Sequence, residues 1–159
     1  MVNPGKRKLG GEKRKVTILF SDIRGFTQIA EGMTPEQLVG IMNDYFAAMS
    51  DIIMNSRGLI EKYIGDAIMA FWGAPVVNPN QAQDAARSAL QMIVALKTLN
   101  KKWADENRPY RFNLGVGINT GEVIVGNMGS AKRFNYGIVG DNVNFTSRLE
   151  GLNKMYGTH

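Results

Sequence analysis

Between Val16 and Ile23 the apolar residues Val, Ile, Leu and Phe follow one another with no helical period, the pattern of a buried strand. From Leu38 onward the period changes. Leu38, Ile41, Met42, Tyr45, Met49, Ile52 and Ile53 recur on one helical face. Thr34-Pro35-Glu36-Gln37 ahead of them supplies an N-cap, a first-turn proline and a capping-box Gln, and Gly58 stands where a C-terminal stop is expected. Two short apolar runs, about Leu59 to Ile64 and Ala67 to Trp72, flank Gly65-Asp66 and read as a hairpin.

A second long helix is predicted after Asn78-Pro79, with Ala85, Ala89, Ile93, Leu96, Leu99 and Trp103 on one face, ending before Arg108-Pro109. Phe112 to Ile118 and Val123 to Val125 read as strands joined through a turn at Asn119-Thr120-Gly121-Glu122. A further run, Phe134 to Val139, leads into Gly140-Asp141, where Asp141 is expected to cap a helix carrying Val143, Leu149 and Leu152. Strand, helix, hairpin, helix, hairpin, strand, helix is an α+β order. It predicts a ferredoxin-like, palm-type, mainly antiparallel sheet with helices on one face.

Composition narrows the chemistry. At 159 residues and 44% hydrophobic the chain suits one domain with a substantial core, and no apolar stretch approaches the length of a membrane span. With no cysteine, and His159 as the sole histidine, thiol nucleophiles, Cys/His zinc sites and histidine triads are excluded. The net charge of +5 resides in residues 1–15, and the remaining 13 basic and 13 acidic side chains cancel. Residues 1–15 therefore read as a basic linker from a longer parent, and residues 16–159 as the folded domain. No nucleic acid partner is implied. A cytoplasmic location is expected, and a parent anchored at the cytoplasmic face of a membrane is compatible with attraction of the basic segment to anionic lipid.

The candidate chemistry lies at the ends of two apolar runs. Asp22 follows Val16 to Ser21, Asp66 sits in the hairpin turn, and Gly25-Phe26-Thr27 offers backbone N–H groups to an anion. Two such carboxylates brought together would hold divalent cations against phosphate oxygens. An Asp in these places also serves as a cap or a turn filler, and spacing alone leaves both readings open. Asn144 and Arg148 are four residues apart on the last helix and so share a face. Lys62 lies on the strand entering the hairpin. Glu122, Lys132 and Arg133 read as exposed loop ends.

These segments together resemble the catalytic domain of the class III nucleotidyl cyclases, most closely the bacterial-type adenylate cyclases. The resemblance rests on Phe20-Ser21-Asp22-Ile23-Arg24-Gly25-Phe26-Thr27, Glu61-Lys62-Tyr63-Ile64-Gly65-Asp66, Gly117 to Glu122, and Val139 to Asn144 with Ser147-Arg148-Leu149-Glu150. It implies that Asp22 and Asp66, with the backbone carbonyl of Ile23, bind two Mg²⁺ or Mn²⁺ ions. It also implies that Gly25, Phe26 and Thr27 hold the triphosphate of ATP, that Arg148 neutralises charge on the α-phosphate, and that Asn144 positions the ribose. Lys62 and Gly137 fall at the base-reading positions. A Lys there implies adenine, whereas Gly137 supplies no side chain for the contact expected to the adenine amine. A symmetric homodimer is implied, with metals held by one chain and Lys62, Asn144 and Arg148 contributed by the other. The expected product is 3′,5′-cyclic AMP, with guanylate cyclase or a non-catalytic nucleotide-binding fragment as the competing readings. By the same resemblance, Gly115 stands where some members carry an Arg, and a strand, a helix and a hairpin bearing a triphosphate Lys would follow His159.

Overall fold

The computed structural model describes residues 10–108, 110–130 and 133–159, and shows one five-stranded antiparallel sheet with four helices. Strand β1 (Gly10–Ile23) leads into a short helix α1 (Phe26–Glu31) and the long α2 (Pro35–Asn55). The hairpin β2 (Leu59–Ile64) and β3 (Ala67–Trp72) follows, then α3 (Gln81–Asp105), β4 (Leu114–Ser130), β5 (Arg133–Val139) and α4 (Asp141–Tyr156). Strand order is β2-β3-β1-β4-β5, so β1 is central. The expected α+β plan with an antiparallel sheet is what forms.

Alternation along β1 divides the core. Leu19 and Ile23 face α2 and α3, joining Ile41, Tyr45, Met49, Ile53, Met92, Leu96 and Trp103 in one buried cluster. Val16 and Ile18 face the other way, with Met69, Phe71, Val123, Val125 and Ile138. Helix α4 lies over β4 at Gly115, Gly117 and Gly121. A Cβ on Gly117 would come within 2.5 Å of the Glu150 backbone nitrogen, so the close helix-to-strand contact requires glycine there.

Local signals at α2 hold. The Thr34 hydroxyl accepts from the Gln37 amide at 3.3 Å and the Gln37 side chain accepts from the Thr34 amide at 3.0 Å, a complete capping box. The stop at its far end differs from the expectation. Arg57, not Gly58, takes the left-handed conformation (φ 66°), and the Gly58 amide donates back to the Ile53 carbonyl at 2.9 Å. Gly58 is needed for space, because a Cβ there would lie 2.6 Å from the Trp72 ring.

Several further expectations are corrected. Residues 10–15, assigned to the linker, are strand: β1 pairs with β4 from Gly10↔Asn127 onward. Their charges are matched locally, Lys13 to Glu122 at 2.6 Å and Arg14 to Glu12 at 2.7 Å, while Arg14 also donates to the Pro75 carbonyl at 2.8 Å. Residues 1–9 of that assignment lie outside the described residues, as does Lys132.

The turn expected at Asn119 to Glu122 is the middle of one 17-residue strand. Asn119 donates to Asn142 Oδ1 at 3.0 Å, Asn142 donates to the Glu122 carbonyl at 2.9 Å, and Gly121 makes room for the Asn142 side chain. The Asn and the Gly thus serve helix packing, and β4 instead pairs with β5 up to Ser130↔Arg133. Phe112 precedes the strand, because Asn100 takes both of its backbone groups, at 2.9 and 2.8 Å. Its ring packs edge-on against Trp103.

Finally, Asp141 is the first residue of α4 and caps nothing with its side chain; Gly140 is the N-cap. The buried positions of α4 are Thr146 and Asn153, while Leu152 is exposed.

Candidate active site

Antiparallel register alone brings the two aspartates together. Ser21 pairs with Ile68, so counting two residues onward in β1 and back in β3 sets Ile23 opposite Asp66 in the β2–β3 turn. Gly65, at φ 63°, makes that turn. The Ile23 amide donates to Asp66 Oδ2 at 3.0 Å, fixing the carboxylate against the end of β1, with Asp22 beside it.

Two carboxylates share one half-buried place, and the effect falls on Asp66. Burial, then the adjacent Asp22, push the Asp66 carboxyl up to about 7, against the pull of the Ile23 amide. Beneath the pair, the Tyr45 hydroxyl and Ser21 Oγ lie near each other and are buried, and among the described residues neither makes a hydrogen bond of normal geometry. Burial, with the charges of Asp66 and Asp22, pushes the Tyr45 phenol up. Among the described residues no Lys or Arg forms an ion pair with either aspartate.

That donor set fits a hard divalent cation. Two carboxylates and the Ile23 carbonyl are all oxygen, the choice of Mg²⁺ and Mn²⁺, and a cation would relieve the like-charge contact. Among the described residues there is no cluster of three or more His, Cys, Asp or Glu able to hold a metal. A cavity of about 190 Å³ adjoins it, lined by Asp22, Ile23, Arg24, Gly25, Glu150, Gly151 and Lys154. Burial and the Asp22 charge raise the Glu150 carboxyl, and Arg24 opposes this.

Gly25 is the N-cap of α1, in the left-handed conformation (φ 64°), and Phe26 and Thr27 begin the helix. Their amides are the first of α1 and so have no carbonyl one turn before them within the helix.

The other site residues predicted from sequence fall into two further places. Lys62, on β2, is half exposed and pairs with Glu61 at 3.2 Å; Gly137, on β5, lies against that same Glu61. The two positions expected to read the base therefore both lie against Glu61. Asn144 and Arg148 are exposed on α4, without a side-chain hydrogen bond or ion pair among the described residues, and neither lines the cavity beside Asp22.

Sequence reasoning overlooked Tyr45, Ser21, Glu61 and the place of Glu150 in the wall of the cavity beside Asp22. Tyr45 is recognisable only as a core position of α2, and Glu61 only as one charge in a polar stretch. Burial next to the carboxylates or next to Gly137 is what distinguishes them.

Residues 11–156 match the family described as the adenylate and guanylate cyclase catalytic domain. Over 146 residues the chain is 39% identical to adenylate cyclase 1 of Rhizobium meliloti (strain 1021), covering 92% of this chain and 22% of that protein. It is also 39% identical to an adenylate cyclase of Anabaena cylindrica, covering 91% of this chain and 28% of that protein. The chain thus spans about a quarter of the length of these relatives. Among solved structures, the adenylyl cyclase CyaB from P. aeruginosa superposes with a TM-score of 0.86 at 36% identity, covering 90% of this chain and 74% of that one. The guanylyl cyclase Cya2 superposes with 0.85 at 43% identity, covering 90% and 72%.

Proposed function

The chain belongs to the family of adenylate and guanylate cyclase catalytic domains, and on that premise we propose that it converts ATP to 3′,5′-cyclic AMP and pyrophosphate. The observation that carries the reading is the carboxylate pair, Asp22 and Asp66, held together at the end of the central strand by the Ile23 amide. Asp22, Asp66 and the Ile23 carbonyl would hold two Mg²⁺ or Mn²⁺ ions. Bound there, such ions supply Lewis-acid activation of the ribose 3′-hydroxyl and charge neutralisation on the triphosphate.

The chain's own residues bind and orient the rest. The amides of Gly25, Phe26 and Thr27 donate to triphosphate oxygens, and the backbone there is already turned for it. Arg148 donates to the α-phosphate as negative charge grows on it, and Asn144 fixes the ribose so that the 3′-oxygen lies in line with the α-phosphorus. The new bond joins that oxygen to phosphorus as the hydroxyl proton passes to water, and the bond to the pyrophosphate oxygen breaks.

Lys62 favours ATP. Its ammonium donates to the unprotonated N1 of adenine, whereas guanine carries hydrogen at N1 and meets it as a second donor. Guanylate cyclase is the second reading, favoured by the 43% identity to Cya2 and opposed by Lys62.

The exposure of Asn144 and Arg148, apart from the cavity beside Asp22, supports a symmetric homodimer in which each site takes its metals from one chain and Lys62, Asn144 and Arg148 from the other. Among the described residues no helix is long and apolar enough to cross a membrane. Mass spectrometry of products formed from ATP and from GTP with Mn²⁺, by this chain and by a form extended past His159, tests the assignment. Cyclic AMP in excess of cyclic GMP is expected; a predominance of cyclic GMP, or no cyclic product from either form, contradicts it.

A further inference from the structure

The register of β2 against β3 shifts between Ile60 and Lys62, which frees Glu61 from the strict alternation of its strand. Its side chain turns to β5 at the far edge of the sheet. A Cβ added to Gly137 would come 2.6 Å from Glu61 Oε1, so only glycine leaves room for this carboxylate where it lies. Glu61 is 11% exposed at the side chain, and Oε1 pairs with Lys62 Nζ at 3.2 Å. Oε2 is buried and has no hydrogen-bond partner among the described residues.

Lys62 pairs with one oxygen of this carboxylate, but among the described residues no donor reaches the other, and a buried oxygen left without one carries a desolvation cost. A ligand bearing an N–H would offset it. The purine edge beside Lys62 has such a group: adenine presents an acceptor at N1 and, next to it, the hydrogens of its 6-amine. A donor and an acceptor on adjacent residues, Lys62 and Glu61, match that order. Guanine presents an oxygen at position 6, which a carboxylate repels.

We propose that Glu61 is the second base-reading residue, accepting a hydrogen bond from the adenine amine, and that Gly137 serves by making room for it. The assignment rests on the adenylate cyclase reading above. It changes what a side chain at position 137 does. A larger residue there displaces the Glu61 carboxylate before it adds a contact of its own.

The probe is purine riboside 5′-triphosphate, which keeps N1 and lacks the amine, compared with ATP by kcat/KM in the wild type, Glu61→Gln and Glu61→Leu. The wild type is expected to prefer ATP by about tenfold or more, the scale of a hydrogen bond to a charged acceptor. The preference falls partway in Glu61→Gln, which keeps a neutral acceptor, and approaches unity in Glu61→Leu, mainly through the KM for ATP. A wild-type ratio in a folded Glu61→Leu overturns the proposal. Should that variant fail to fold, Gly137→Ala, whose methyl group displaces the carboxylate tip, is read in the same way, and an unchanged ratio again overturns it. Cyclic AMP production with ATP preferred over GTP, together with an unchanged amine dependence, removes this inference alone. Wild-type preference for GTP over ATP removes the adenylate reading and this assignment with it.

Discussion

The end of β1 and the outer face of α4 carry parts of one proposed site, yet they are held in opposite ways. Asp22 and Asp66 are placed by strand register, fixed by a backbone amide and packed over the buried Tyr45. Asn144 and Arg148 stand in solvent, with no partner among the described residues. The first region is preorganised within one chain, at the cost of crowding two carboxylates. The second costs the fold nothing and acquires its role only when another surface meets it. Substitutions should therefore behave differently in the two places: at the aspartates they alter both chemistry and stability, and on α4 they alter chemistry alone.

The largest effect is expected at the aspartates. Asp22→Ala or Asp66→Ala should lower turnover by at least about a hundredfold, and the double variant should be little worse than either, because each removes the same clamp. Rates of cyclic nucleotide formation with Mn²⁺ check this, and retention of more than about a tenth of the wild-type rate by either variant contradicts the metal assignment. Arg148→Ala should cost about ten- to a hundredfold in kcat while the thermal midpoint stays within a degree or two, since an exposed side chain without partners contributes little to the fold. A large fall in midpoint would mean that α4 is not the free surface described.

Base choice should move less. Lys62→Glu is expected to lower the ATP to GTP ratio of kcat/KM by about tenfold, the scale of one reversed charged contact. An unchanged ratio would remove Lys62 from base reading.

The smallest effect concerns pH. The Asp66 carboxyl is raised from 3.8 to about 7, so between those values the folded, metal-free chain binds more protons than the unfolded one. Stability of the metal-free protein therefore falls as pH rises through that window, and the penalty is complete above about 7. Asp66→Asn, which imitates the protonated acid, should raise the metal-free midpoint at pH 8 by a few degrees and leave it nearly unchanged at pH 4. The metal needs the deprotonated pair, so Mn²⁺ should raise the wild-type midpoint more at pH 8 than at pH 6. Equal midpoints for the wild type and Asp66→Asn at pH 8 would show that the carboxylates are not crowded.

What could be read from the sequence depended on how local its cause was. The capping box at Thr34, the hairpin around Gly65-Asp66 and the amphipathic face of α2 are decided within a few residues, and they form as the pattern predicts. Asn119 to Gly121 resembles a turn because Asn and Gly favour turns, but here they accommodate Asn142, 23 residues beyond Asn119 on a helix. Residues 10–15 resemble a linker because their charges are visible and their partners, Glu122 and the Pro75 carbonyl, are remote in sequence. The same limit applies to the site. Asp22 and Asp66 are recognisable by motif, whereas Glu61 becomes notable only once β2 and β5 are seen to approach each other across Gly137.

The central claim is that the aspartate pair of one chain and Arg148 of another serve one reaction, and mixing tests it most directly. Asp66→Ala and Arg148→Ala, each nearly inactive alone, are combined in equal amounts and allowed to exchange subunits. In every heterodimer one site then carries both lesions and the other carries neither. Activity is predicted to return to about a quarter of the wild-type value, set by half the dimers having one intact site of two. Subunit exchange verified by mass, with activity no higher than that of the separate variants, would contradict a site shared between chains.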